Sequence, residues 1–153
     1  MTEHRTFQSR RLLQSSVALL LFTSFEGFVI PYVSSPPLGL SVHRLGALQA
    51  VLLLGFGLLW PRLSLGTRTS SIAFWLLIYS TFAILAAYMM ASVWGAGNET
   101  IPLAAGPSHG SAFQETIIKV VAYSSAPTGI LSFVLIFWGL RAPDEGRAIE
   151  ADK

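Results

Sequence analysis

Four long apolar stretches, separated by short polar ones, dominate the pattern of this chain. Each stretch is long enough to cross the ~30 Å hydrocarbon core of a bilayer as a helix. The four predicted helices cover about 12–33, 41–60, 70–94 and 114–140. The pattern therefore predicts an all-α fold, an integral membrane four-helix transmembrane bundle.

Prolines punctuate the predicted helices. Pro31 and the pair Pro36-Pro37 close the first helix, and Pro61 closes the second, because proline removes a backbone donor and restricts the residue before it. The short turn between these helices predicts an antiparallel hairpin. Pro127 predicts a kink in the fourth helix.

Pairs of small residues predict where the helices pack closely. Gly46 and Ala50 in the second helix, and Ala83 and Ala87 in the third, are each four residues apart. Such spacing allows two helix backbones to approach in lipid. We expect helices two and three to contact each other through these pairs.

The basic residues predict the orientation of the bundle. Three arginines precede the first helix, at Arg5, Arg10 and Arg11, and two lie in the loop after the second helix, at Arg62 and Arg68. Residues 95–113, in contrast, contain no lysine or arginine. Cytoplasmic loops are enriched in these residues, so both termini and the middle loop should be cytoplasmic. The expected location is the cell inner (cytoplasmic) membrane, crossed several times.

This orientation divides the chain into three regions. They are a cytoplasmic N-terminal tail, 1–11, a transmembrane domain, 12–141, and a cytoplasmic C-terminal tail, 142–153, whose mixed charges predict disorder. The basic tail before an apolar run also resembles a signal peptide. No small-residue cleavage site follows that run, so we expect it to remain as the first membrane helix.

Composition excludes several classes of chemistry. The chain is 52% hydrophobic and 12% charged, with a mean hydropathy of +0.58, which is typical of a membrane protein. It has no cysteine, which excludes disulfides, thiolate catalysis, iron–sulfur clusters and covalent haem attachment. The net charge of +2 does not indicate a nucleic-acid partner.

Other polar residues near the predicted outer ends of the helices have ordinary interpretations. Glu26 is either a buried functional group or a side chain that reaches the interface, and the second is favoured because it lies near the helix end. Glu115 and Lys119, at i and i+4, predict a salt bridge. His109 is expected to be a solvated loop residue rather than a lid residue.

His43 is the leading functional candidate. Together with Arg44 it falls in the first predicted turn of helix two, after a possible N-cap at Ser41. Polar side chains persist there when they reach an interface, pair, or bind a ligand. Recognised hydrolase, nucleotide-binding and zinc-protease motifs are missing from the sequence. A single histidine on an apolar helix suits haem, and the alternative is an interfacial histidine that caps its helix.

A series of short segments resembles the hydroxylaminobenzene mutase family. It starts with Pro37 to His43, Gly46, Gln49 and Leu59 to Leu63, and continues through Phe74-Trp75, Tyr79, Leu85 to Ala87, Trp94-Gly95, Gly106, His109-Gly110, Gln114-Glu115 and Trp138 to Arg141. The likeness covers roughly 37–141. It implies a membrane enzyme that moves a hydroxyl group within an aromatic substrate.

A more distant similarity connects the same region to styrene oxide isomerases, small four-helix enzymes that form trimers with haem b between subunits. The resemblance implies that His43 is the axial ligand of the haem iron, and that Gln49 and Tyr88 are catalytic. Arg44 would bind a haem propionate or reach the membrane interface. Gln49 is one methylene longer than the asparagine of those isomerases, Leu45 replaces an acid of the mutases, and Ile84 replaces an asparagine.

The resemblance implies Lewis-acid isomerisation by ferric haem b, in which a small hydroxylaminoarene becomes an ortho-aminophenol. Gln49 lies about 9 Å along the helix from His43 and roughly 120° around it, so the two cannot share one narrow face. The resemblance implies that they border one broad pocket between subunits of a homotrimer. Aryl epoxide isomerisation to an aldehyde is the alternative within enzymes. A haem-carrying electron-transfer subunit and a purely structural membrane subunit are the alternatives of other classes.

Overall fold

The computed structural model describes residues 2–106 and 109–141, and this part of the chain is helical without strands. The helices are α1 (Thr2–Val29), α2 (Pro36–Leu59), α3 (Thr67–Trp94), α4 (Pro102–Ala105) and α5 (Ala112–Arg141). Two single 3₁₀ turns, Ile30–Tyr32 and Trp60–Arg62, follow α1 and α2. The predicted tail 142–153 lies outside the described residues.

The four long helices are apolar enough to cross a membrane. The candidate spans are Glu3–Tyr32, Pro36–Arg62, Thr67–Trp94 and Ala112–Arg141. Their number and order confirm the predicted all-α bundle of four transmembrane helices. The protein is therefore a multi-pass α-helical membrane protein.

Two helices begin earlier than their apolar runs. Helix α1 begins at Thr2, so the polar residues before Leu12 are helical. Helix α2 begins at Pro36, because proline is well suited to the first helical turn, where its missing N–H has no partner to lose. The predicted N-cap at Ser41 is wrong: Ser41 lies inside α2 and its hydroxyl donates to the carbonyl of Pro37.

The long helices form two closely packed pairs, α1 with α2 and α3 with α5, while α2 also contacts α3. The predicted hairpin of the first two helices is confirmed. Residues Gly46 and Ala50, however, face α1 rather than α3. A Cβ added at Gly46 would lie 2.5 Å from Thr23 Oγ1. The hydroxyl of Ser16 donates to the Ala50 carbonyl at 2.8 Å. The predicted role of this pair between helices two and three is wrong.

The pairing of α3 with α5 uses small and hydroxyl residues. Ser132 donates to the Ala73 carbonyl at 3.0 Å, and a Cβ on Gly129 would lie 3.4 Å from the side chain of Ser80. Helix α5 continues through Pro127. Small residues thus allow both helix pairs to approach closely.

A buried network of Gln8, Trp60 and Ser70 joins α1 to the α2–α3 connection. We call it the Gln8 network. The amide oxygen of Gln8 accepts from Trp60 Nε1 at 3.0 Å and from Ser70 Oγ at 2.8 Å. Arg5 also donates to the carbonyl of Leu65. These bonds explain why the polar start of α1 is held against the bundle.

Candidate functional site

His43 lies in the second turn of α2 and faces α1. Its Nδ1 atom is 3.3 Å from Oε2 of Glu26. Gly27 makes room for the ring, since a Cβ there would lie 3.2 Å from Cε1 and 3.3 Å from Nδ1 of His43. The sequence places a glycine beside the one acid in this part of α1, and together they accommodate the imidazole.

Burial differs between the two partners. Glu26 is only 6% exposed, whereas the side chain of His43 is 38% exposed. The expectation that Glu26 reaches the interface is wrong, because its position on α1 turns it toward α2. Since Nδ1 is itself buried, the exposed part of the imidazole is the remainder of the ring. The Nδ1 side of the imidazole therefore contacts Glu26, and the other side of the ring is accessible.

Three buried polar atoms here have no hydrogen-bond partner among the described residues. They are His43 Nδ1 and Glu26 Oε2, which are close but not aligned for a hydrogen bond, and Thr23 Oγ1, which is buried under Gly46. We call Thr23, Glu26 and His43 the His43 cluster. Unpaired buried polar atoms are costly and rare.

Arg44 and Tyr88 lie in a separate cavity of about 460 Å³ between α2, α3 and the α3–α5 connection. Arg44 is exposed and Tyr88 is half-buried. The hydroxyl of Thr100, which also lines the cavity, is buried without a hydrogen-bond partner. The remaining lining residues are Ser41, Leu45, Leu48, Ile101, Pro102, Leu103 and Ala104. A small apolar molecule with one or two polar groups matches this lining.

Gln49 lines a different cavity, of about 310 Å³, between α2, α3 and α5. Its amide oxygen accepts from Thr81 Oγ1 at 3.4 Å. In the single chain, Arg44 and Tyr88 line one cavity, Gln49 lines another, and His43 contacts Glu26. The predicted roles of these four residues remain predictions.

The α3–α5 connection is organised by a carboxylate that the sequence interpretation assigned differently. Glu115 is 4% exposed and accepts backbone N–H groups of Gly97 at 2.7 Å and Gly110 at 3.2 Å. Lys119 pairs instead with Glu99, at 3.2 Å. The predicted Glu115–Lys119 salt bridge is wrong, because the carboxylate of Glu115 accepts hydrogen bonds from backbone N–H groups of the α3–α5 connection instead. His109 is exposed, as predicted.

The residues around His43 fit a haem better than a bare metal ion. Within residues 2–106 and 109–141, no group of three or more histidine, aspartate or glutamate side chains could hold a metal ion. Ala47, Val51 and Leu54 continue along α2 from His43 with helical spacing, and Val51 and Leu54 are exposed. An imidazole beside an apolar strip, with a carboxylate behind it, suits an iron porphyrin.

Comparison with known proteins agrees with this architecture. The profile of the family described as styrene oxide isomerase matches residues 8–141. Hydroxylaminobenzene mutase HabB of Ectopseudomonas oleovorans is 40% identical over 143 residues, covering 94% of this chain and 87% of the relative. Hydroxylaminobenzene mutase HabA of the same organism is 31% identical over 129 residues, covering 84% and 96%. No solved structure matches the chain. The chain belongs to the styrene oxide isomerase family, and it is a membrane-spanning isomerase.

Proposed function

We propose that the protein converts a small hydroxylaminoarene into an ortho-aminophenol with ferric haem b as cofactor. The observation that carries the proposal is the placement of His43, buried at Nδ1 beside Glu26 and open on the rest of the ring. An imidazole oriented through one nitrogen offers the other to a metal. The names of the two mutase relatives supply the substrate class.

His43 would be the axial ligand of the iron, and the guanidinium of Arg44 would pair with a haem propionate. When bound, ferric haem supplies the Lewis acidity that weakens the N–O bond of the substrate. Of the three histidines in the sequence, His4 bonds Ser71 far from His43, and His109 lies in the α3–α5 connection. His43 would therefore be the histidine that holds the haem.

The protein's side chains would handle the proton and the orientation of the substrate. The hydroxyl oxygen moves from nitrogen to the ortho carbon, that carbon loses a proton, and the nitrogen gains one, so no net oxidation occurs. Tyr88 would move the proton at its phenolic oxygen. The oxygen of Gln49 already accepts from Thr81, so its amide N–H groups are the donors it offers to a substrate.

A homotrimer with haem between subunits would complete the site. Support comes from the single chain, in which the open side of His43 and the apolar residues Val51 and Leu54 lie on the outside of the bundle. In the single chain Tyr88 and Gln49 also line different cavities, to which a neighbouring subunit could contribute residues. Measurement of the mass of the complex in mild detergent tests the trimer, and a monomer that retains full activity contradicts it.

We propose the inner membrane as the location, with both termini in the cytoplasm. The arginine distribution supports this orientation. Because the chain has no cysteine, single cysteines introduced at Thr2 and at Asn98 report the two sides. An impermeant thiol reagent applied to intact cells should label the cysteine at 98 and spare the one at 2, and the reverse pattern contradicts the orientation.

Aryl epoxide isomerisation is the second candidate, because the matching family profile is that of styrene oxide isomerase. In that reaction the epoxide would open and rearrange to an aldehyde, with Lewis acidity that the bound haem would supply. Purified protein of measured haem content should be given a hydroxylaminoarene and an aryl epoxide separately. The proposal expects aminophenol formation. Conversion of the epoxide alone would favour the second candidate, and redox cycling without either product would favour electron transfer.

The roles of Tyr88 and Gln49 can be separated from cofactor binding. Tyr88→Phe should lower turnover by about 10²- to 10⁴-fold, the range of general acid–base catalysis, while the haem spectrum stays unchanged. Gln49→Ala should also lose activity and retain haem. Loss of haem from either variant would assign that residue to cofactor binding instead.

A further inference from the structure

Among the described residues, Glu26 is the one acidic side chain paired with His43, and it reaches that histidine from a different helix. The carboxylate is 6% exposed and its Oε2 is 3.3 Å from Nδ1 of the imidazole. Neither atom forms an aligned hydrogen bond with any described residue. A buried carboxylate in such a place requires a reason, since burying a charge without a bonded partner is costly.

We infer that Glu26 is a positioning residue for His43: its carboxylate accepts the Nδ1–H of the imidazole and thereby fixes Nε2 as the nitrogen available to the haem iron. This inference rests on the proposed function. The two atoms are 3.3 Å apart, so the carboxylate is the nearest acceptor recorded for the Nδ1–H. A carboxylate behind a ligating imidazole selects its tautomer and raises its basicity as a ligand.

Gly27 supports the same role through shape. Its missing side chain leaves the space that the His43 ring occupies, and a Cβ at 3.2 Å and 3.3 Å from the ring atoms would press on the imidazole. Gly46 likewise leaves space beside Thr23. The two glycines keep α1 and α2 close enough for a carboxylate on one helix to reach an imidazole on the other.

A purely structural pairing of α1 with α2 is the competing explanation, and it makes different predictions. A structural pair would affect only the stability of the fold when broken. A positioning carboxylate affects the iron itself, because the electron donation of the imidazole changes with its hydrogen bond. The test must therefore read properties of the iron–histidine bond rather than activity alone.

The experiment compares haem-loaded, detergent-purified protein with Glu26→Gln, Glu26→Leu and Gly27→Ala variants. Glu99→Gln is the matched control, because Glu99 is an exposed carboxylate paired with Lys119. Three quantities are measured: the rate of haem loss to an acceptor protein, the iron–histidine stretching frequency of the ferrous form, and the reduction potential. Gln retains an acceptor oxygen without the charge, whereas Leu removes both.

Glu26→Leu should weaken haem retention by about 10- to 100-fold, the usual cost of losing the hydrogen-bond partner of a metal ligand. The iron–histidine frequency should fall and the reduction potential should rise, both less in Glu26→Gln than in Glu26→Leu. Gly27→Ala should alter the frequency while the carboxylate is retained. Wild-type behaviour is expected for Glu99→Gln.

The inference is overturned if Glu26→Gln and Gly27→Ala both keep the wild-type haem retention, frequency and potential, even if Glu26→Leu fails to fold. Its failure is separable from failure of the proposed function by His43→Ala. If His43→Ala loses haem while the Glu26 variants are unchanged, only the role of Glu26 is wrong. If His43→Ala keeps an unaltered haem spectrum, the proposed function and this inference are both wrong.

Discussion

Helix α1 carries a buried polar cluster near each end, and the two clusters differ in their hydrogen bonding. Gln8 and Glu26 are 2% and 6% exposed, and they lie roughly 27 Å apart along the helix at 1.5 Å per residue. In the Gln8 network the amide oxygen accepts two hydrogen bonds, at 3.0 and 2.8 Å. In the His43 cluster, Thr23 Oγ1, Glu26 Oε2 and His43 Nδ1 have no hydrogen-bond partner within residues 2–106 and 109–141.

The comparison shows that burial of polar groups alone does not identify a functional site. A buried network in which every polar group is hydrogen-bonded stabilises the packing of the helices. Each group forms a hydrogen bond within the protein that replaces the one it lost to water. A buried cluster with unpaired atoms gains no such stability. In the proposed haem-bound form, an Nδ1–H of His43 donated to Glu26 would give both of these atoms a partner.

Replacement of His43 should have the largest effect on function. His43→Ala should insert and fold but lose haem, with turnover reduced by more than the 10- to 100-fold typical of losing only a ligand's hydrogen-bond partner. The measurement is turnover per folded protein, with helix content from circular dichroism as the control. Full turnover in this variant would remove the functional distinction between the two clusters.

Replacement of Gln8 should produce the opposite pattern, a loss of stability without a change in the chemistry. Gln8→Ala leaves Trp60 Nε1 and Ser70 Oγ without their acceptor, at a cost of about 1–3 kcal/mol for each group. Thermal unfolding in detergent measures this, and Gln14→Ala, an exposed glutamine of the same helix, is the control. Equal unfolding temperatures for the two variants would contradict the structural role of the Gln8 network.

Replacement of Glu115 should lower stability, as replacement of Gln8 does, but only in the α3–α5 connection. Glu115→Gln weakens charge-assisted bonds to the amides of Gly97 and Gly110, each worth about 1.5–3 kcal/mol. Hydrogen exchange at these two amides should accelerate. Glu99→Gln changes an exposed carboxylate. Because an exposed ion pair contributes little free energy, the exchange rates of the two amides should change little in this variant. Unchanged exchange in Glu115→Gln would contradict this role.

The smallest change in stability is expected for replacement of Thr23, and the sign of that change distinguishes an unpaired hydroxyl from a bonded one. Thr23→Val removes an unpaired buried hydroxyl while keeping the shape, so stability should be unchanged or should rise by up to about 1 kcal/mol. Ser16→Ala is the contrasting variant, since the Ser16 hydroxyl donates to Ala50 and its loss should cost about 0.5–1.5 kcal/mol. Destabilisation of Thr23→Val beyond that of Ser16→Ala would show that Thr23 has an unrecognised structural partner.

The sequence predicted the number and order of membrane helices because apolar length and proline breaks are local signals. Proline positions misled the prediction only at the start of α2, where Pro36 opens the helix that was expected to begin at Ser41. The partner of Gly46 was also wrong. Small-residue spacing indicates that a close contact exists, but the neighbour depends on how the helices are arranged.

The candidate site was predictable in part. His43 stood out as a histidine on an apolar helix, and the resemblance to the mutases drew attention to Gln49 and Tyr88. Glu26 was considered but assigned to the interface, since its burial depends on which side of α1 meets α2. Glu115 was paired with Lys119 because that spacing is favourable within a helix. Its actual donors are backbone amides, whose direction no side-chain pattern reveals.

We propose that His43 binds a haem, and the absorption spectrum of the purified protein measures this directly. Wild-type protein should show a strong Soret band, and a ferric spectrum that changes on addition of dithionite. In His43→Ala the band should be lost or displaced, while Gln14→Ala should match the wild type. Wild-type protein without a Soret band after expression with sufficient haem, or an unaltered band in His43→Ala, would contradict the account.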